Sequence, residues 1–186
     1  MKRLFDLSTA IIAALCFSPL ILIIALSVKL TSPGPILYWS NRIGKNNEIF
    51  KMPKFRSMLV DAPAVPTHLL DQPDQWLTPI GSLLRQSSLD ELPQLWCILT
   101  GDMSLVGPRP ALFNQDDLID LRTQNNIHRL LPGLTGWAQV NGRDELPIKE
   151  KVELDCEYFH QQSFFFDLKI LWMTVLKVLT RDGVSH

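Results

Sequence analysis

"AIIAALCFSPLILIIALSV", residues 10–28, carries no charged side chain and has a Ser-Pro step at its centre. About 20 apolar residues cross a bilayer core, so length alone admits a spanning helix. A secretory signal is a poorer reading, because its apolar stretch is usually shorter and no small-residue cleavage site follows. The flanks argue against a simple span. Lys2 and Arg3 precede the segment; Lys29, Arg42, Lys45, Lys51, Lys54 and Arg56 follow it against one acid, Glu48. Basic residues beside membrane segments favour the cytoplasm, and here both ends ask for it.

Pro19 offers a resolution. It has no N–H, so the Leu15 carbonyl loses its helical partner. The Ser18 hydroxyl is placed to donate to a freed carbonyl, as hydroxyls do in bent membrane helices. Each half, at about 1.5 Å per residue, then reaches roughly mid-bilayer. The expectation is a re-entrant helix-break-helix over residues 1–30, broken at Ser18-Pro19, ahead of a kinked full span and a buried soluble helix. Residues 31–186 are then expected to lie at the cytoplasmic face, within a single domain over 1–186.

The remaining composition excludes more than it assigns. The chain has 186 residues and a formal net charge of −1, so no field advertises a nucleic-acid partner. Cys16, Cys97 and Cys156 are odd in number and widely spaced, which fits a reducing compartment better than disulfides or zinc. The four histidines show no ligand spacing.

"TSPGPI" (31–36) ends the apolar helix, and residues 36–58 read as two short strands turning at Gly44 to Asn47. Alternation along the second strand aims Lys54 and Arg56 at one face, where two cations can grip a phosphate or simply face water. The proline-rich stretch 60–79 reads as a surface loop. A helical pattern follows over 80–99, and another over 111–131. At the carboxyl end, Leu168, Leu171, Trp172, Val175, Leu176 and Leu179 make an amphipathic stripe, read either as an interfacial helix or as a core helix. The fold expected is α+β, predominantly α-helical, with a small β-hairpin and interfacial amphipathic helices.

Chemistry points to "SSLDELPQLW", residues 87–96. Ser88 and Glu91 match a capping box, a purely structural role. That register leaves Pro93 inside the helix; a start at Asp90 moves it into the first turn. In either register Asp90 lies near a helix amino terminus, which favours its ionised form, and an ionised carboxylate can attack phosphorus. Glu91 can hold a magnesium ion. Arg109, locked between prolines in "GPRP", is shaped for bidentate phosphate contact.

"FKMPKFRSM" (50–58), "SLDELPQLWCILTGDMSLVGPRP" (88–110), "PGLTGWAQVNGR" (132–143) and "FDLKILWMTVLKVL" (166–179) together resemble the bacterial sugar transferase family, the monotopic phosphoglycosyl transferases. The resemblance runs from "KRLFD" to "DGVSH". It implies transfer of a sugar 1-phosphate from a UDP-sugar to undecaprenyl phosphate, with UMP released, in the inner membrane of a bacterium. It implies Asp90 as nucleophile, Glu91 as magnesium holder, and Lys54, Arg109, Arg143 and Asp155 as further site residues. A re-entrant helix bent at Ser-Pro belongs to the same pattern. The chain looks like the minimal catalytic form, with membrane lipids and downstream glycosyltransferases as partners. An N-acetylated amino sugar is expected as substrate, with residues 62–79 bearing on sugar choice. The competing class is a membrane-anchored scaffold in which Asp90 and Glu91 only cap a helix. A single cysteine introduced just after Lys29 should be labelled only from the cytoplasmic side; periplasmic labelling excludes the re-entrant reading.

Overall fold

The computed structural model describes residues 1–62, 73–142 and 146–180. Its first element, α1 (Lys2–Thr31), is one helix with Pro19 inside it. The expected helix-break-helix is therefore corrected: the backbone stays helical across the proline. The compensation works as the sequence implies, since Ser18 Oγ donates to the Leu15 carbonyl at 2.8 Å. This helix is long and apolar enough to cross a membrane.

Two strands follow, β1 (Leu37–Ile43) and β2 (Ile49–Phe55), paired antiparallel around a tight turn at Lys45–Asn47. Asn46 and Asn47 take positive φ there, which asparagine tolerates well. Tyr38 stands directly across from Lys54 in the register. The helical pattern over 80–99 resolves into α2 (Gly81–Gln86), a 3₁₀ segment Leu89–Gln94, and α3 (Leu95–Thr100). Pro93 lies within the 3₁₀ segment, and the helix proper begins just after it. Next come β3 (Ser104–Val106), α4 (Asp116–Gln124), β4 (Gly133–Thr135), α5 (Trp137–Asn141), α6 (Ile148–Gln161) and α7 (Phe164–Thr180). The helix expected over 111–131 is shorter, α4 plus a 3₁₀ turn at Ile127–Arg129. Residues 63–72 of the proline-rich loop lie outside the described residues, and its second half includes a 3₁₀ turn at Pro73–Trp76.

The main core gathers Ala10, Met52, Leu95, Ile98, Met103 and Ile170 with their neighbours. A second cluster joins Ile24 and Val28 of α1 to Phe55 and Leu84. Both halves of α1 thus dock on the body. Asp6 and Ile24 are eighteen residues apart, about five turns, so they lie on one side of the helix. Polar bolts fix each end. Lys2 pairs with Asp167 at 2.5 Å and donates to the Val106 carbonyl at 3.1 Å; Asp6 accepts from Ser104 Oγ at 2.7 Å. At the far end Arg56 donates to the carbonyls of Ser32 (2.9 Å) and Pro33 and to the Ser32 hydroxyl (2.7 Å). Between these anchors the opposite side of α1 is bare, with Ile11, Ile12, Leu15, Leu22 and Ile23 exposed.

α7 repeats the pattern. It buries Asp167 and Ile170 but turns Phe165, Leu168, Trp172, Val175 and Leu176 outward. Four members of the apolar stripe thus face outward, while Leu171 packs against the main core.

β3 and β4 pair in parallel, with Ser104 opposite Gly133 and Val106 opposite Thr135. The glycines of "LVGPRP" and "PGLTGW" allow this approach: a Cβ on Gly133 would overlap the Gly107 nitrogen, and one on Gly136 the Gly107 carbonyl. Backbone atoms give way poorly, so Gly133→Ala should cost about 2 kcal/mol, in the range of overpacked cores. The check is thermal unfolding, where that loss lowers Tm by several degrees; an unchanged Tm means that the two segments part easily.

Candidate active site

β2 delivers Lys54 to the 3₁₀ segment that carries the carboxylates. Lys54 Nζ lies 2.6 Å from Glu91 Oε1 and 3.9 Å from Asp90 Oδ2. From the other side Arg109 Nη2 approaches Glu91 Oε1 at 3.3 Å. Three segments remote in sequence thus meet, bringing together Lys54, the Asp90-Glu91 pair and Arg109.

The capping box is corrected. Ser88 is left-handed, with φ 55°, and its side chain caps nothing. Nor does a long helix point its amino terminus at Asp90, because the segment is a 3₁₀ turn. Cations replace the helix dipole as the electrostatic partner. Arg56 does not stand beside Lys54 either. It follows β2, and its guanidinium is buried against the end of α1.

The two carboxylates are driven apart. Glu91 is partly buried, which alone would raise its pKa, but Lys54 and Arg109 outweigh that desolvation and hold it at about 2. For Asp90 burial is the largest influence, helped by the Glu91 charge. Lys54, Arg85 and Arg109 offset it only partly, and its pKa rises to about 6. The expectation of a strongly ionised Asp90 needs correcting to one that loses its proton near pH 6. Among the described residues Asp90 accepts no hydrogen bond and is 7% exposed. A carboxylate so poorly solvated has little hydration to shed before it attacks an electrophile.

Asp90 and Glu91 also fit a magnesium ion in donor chemistry. Magnesium keeps several waters and needs one or two carboxylates plus substrate phosphates. The Asp90 oxygens, which accept no hydrogen bond among the described residues, and the ionised Glu91 meet that need. Among the described residues no cluster of three or more potential ligands exists.

The other expected residues are placed differently. Asp155, on α6, is 1% exposed and bound by Arg122 Nε (2.9 Å) and Nη2 (2.7 Å). Arg143 lies outside the described residues. Arg122 escaped the sequence reading, although one signal existed: it is four residues after buried Leu118, on the apolar side of α4.

A hairpin cation, a carboxylate pair of which Asp90 is buried, and a proline-locked arginine thus form one cluster. The family model described as "Bacterial sugar transferase" matches residues 1–181. The chain belongs to the bacterial sugar transferase family, and it is an enzyme of the phosphoglycosyl transferase kind. It is 43% identical to "Uncharacterized sugar transferase EpsL" of Bacillus subtilis (strain 168), over 100% of this chain and 91% of that protein. It is 41% identical to the "UDP-glucose:undecaprenyl-phosphate glucose-1-phosphate transferase" of Escherichia coli (strain K12), over 95% of this chain but 40% of that one. It is 37% identical to the "UDP-N-acetylgalactosamine-undecaprenyl-phosphate N-acetylgalactosaminephosphotransferase" of Aeromonas hydrophila, over 98% of this chain and 44% of that one. The chain thus spans less than half of these two longer relatives.

Asp90 has a consequence for stability. Its folded pKa exceeds the unfolded value of 3.8, so the folded state binds the extra proton between pH 3.8 and about 6. Stability from this group is present below pH 3.8 and is lost as pH rises through 6, a loss of about 3 kcal/mol for a shift of roughly two units. Asp90→Asn should therefore raise stability at pH 7.5, with the gain shrinking below pH 4, as read by urea unfolding at both pH values.

Proposed function

We propose that the protein transfers a sugar 1-phosphate from a UDP-sugar to undecaprenyl phosphate and releases UMP. The observation that carries this reading is Asp90 itself, buried, accepting no hydrogen bond among the described residues, and flanked by Lys54 and by a Glu91 that two cations keep ionised. An Asp90 oxygen attacks the phosphorus that bears the sugar, and the bond to UMP breaks, with UMP keeping the electron pair. The result is a phosphosugar–aspartyl ester. A phosphate oxygen of the lipid then attacks the same phosphorus and frees Asp90. Lys54 and Arg109 are positive charges positioned before the reaction, suited to the charge that builds on the phosphoryl oxygens. Magnesium, held by Glu91, would supply further neutralisation of the diphosphate.

The membrane reading joins this site to its acceptor. α1 docks on one body along its whole length while Ile11, Ile12, Leu15, Leu22 and Ile23 on its other side stay exposed, a bare apolar face suited to lie in the acyl part of one leaflet. The outward stripe of α7 suits an interfacial position, with its apolar side chains in the acyl boundary. A catalytic body at that height meets the lipid phosphate without a capture step. The cytoplasmic face of the inner membrane follows from the basic flanks. The product would serve downstream glycosyltransferases.

The names of the relatives divide between glucose and N-acetylgalactosamine, so UDP-glucose and UDP-N-acetylated amino sugars both belong in the assay. Purified protein in nanodiscs with magnesium and undecaprenyl phosphate should release UMP from one of them. Asp90→Asn should abolish release, and the rate should rise with pH through about 6 as Asp90 ionises. Parallel double-reciprocal lines are expected from two displacements at one carboxylate. Intersecting lines exclude the covalent route, and full activity in Asp90→Asn excludes the nucleophile. A scaffold would release no UMP from any sugar nucleotide.

A further inference from the structure

Pro108-Arg109-Pro110 is unusual in how its backbone is held. The two prolines have no N–H, so the tripeptide is anchored through its carbonyls. Each of the three has a donor: Gly133 N to Pro108 O at 2.9 Å, Arg122 Nη1 to Arg109 O at 2.8 Å, and Arg42 Nη1 to Pro110 O at 3.3 Å. The central donor is the most constrained. Arg122 turns Nε and Nη2 to Asp155 Oδ2 while Nη1 reaches Arg109 O. Among the described residues Asp155 accepts hydrogen bonds from Arg122 alone.

We infer that Arg122 and Asp155 are positioning residues for Arg109, and that Asp155 acts through Arg122 without touching substrate. α6 fixes Asp155, Asp155 fixes the planar fork of Arg122, and the fork fixes the carbonyl of the residue whose guanidinium meets Glu91. Lysine has no fork and cannot hold both partners in this geometry. The inference rests on the phosphoryl-transfer reading, because only there does the aim of Arg109 matter for rate.

Loss of one partner would strand a buried charge and unfold the site, so the test removes both charges together, as Arg122→Met with Asp155→Leu. kcat/KM for UMP release is measured for this pair with Arg109 intact and again in Arg109→Ala. A positioning role predicts a loss of about 10- to 100-fold with Arg109 present, typical of a misplaced catalytic group, and almost none once Arg109 is gone. An equal loss in both backgrounds overturns it, since the pair then acts on substrate or on the fold at large. So does the absence of any loss. If the unaltered protein releases no UMP from any sugar nucleotide, the functional reading fails by itself. The positioning claim is then read from hydrogen exchange at the amides of Arg109 and Ala111. Faster exchange in the pair supports it, and unchanged exchange overturns it.

Discussion

An apolar helix of thirty residues, about 45 Å long, is attached at both ends to the same small body. Lys2, Arg3 and Asp6 hold one end against α3, β3 and α7, with Arg3 donating to the Ile98 carbonyl at 2.7 Å. Arg56 and the Phe55–Leu84 cluster hold the other. Polar groups make the anchors and apolar groups fill the stretch between. Water cannot solvate that stretch cheaply, and the body covers only one side of it.

The anchors fall on the strands that carry the chemistry. Lys2 and Asp6 grip β3, whose chain runs directly into Gly107 and Arg109. Arg56 follows β2 by one residue and Lys54 by two. The two cations that meet at Glu91 are thus carried by segments tied to opposite ends of α1. The Lys54–Glu91–Arg109 cluster and the apolar helix α1 share one frame, and Arg56 is spent on the backbone carbonyls that end that helix.

Close backbone packing completes the frame. Three glycines let the β3 and β4 segments approach until side chains are excluded, and prolines stiffen the loop between them. Little conformational freedom remains at Arg109 before substrate arrives, and preorganised charge is what phosphoryl transfer asks of a protein.

Local chemistry was legible in the sequence. Turn residues at 44–47 and β-forming flanks determine the hairpin, uncharged residues determine α1, and the Ser18 bond to Leu15 follows from what proline lacks. The Asp90-Glu91 pair and Arg109 were visible as residue types in turn-rich surroundings. α6 was not, because its buried side is Val152, Asp155 and Tyr158, and two polar members hide the apolar period. The parallel pairing of β3 with β4 was hidden too, since three-residue strands carry no period. Only the tertiary structure decided which cation met which carboxylate. It sent Arg56 to the helix end, tied Asp155 to Arg122, and buried Asp90 deeply enough to lift its pKa to about 6. The reason is physical: propensity and hydrophobic period act over a few neighbouring residues, whereas desolvation and ion pairing depend on what the folded chain brings close.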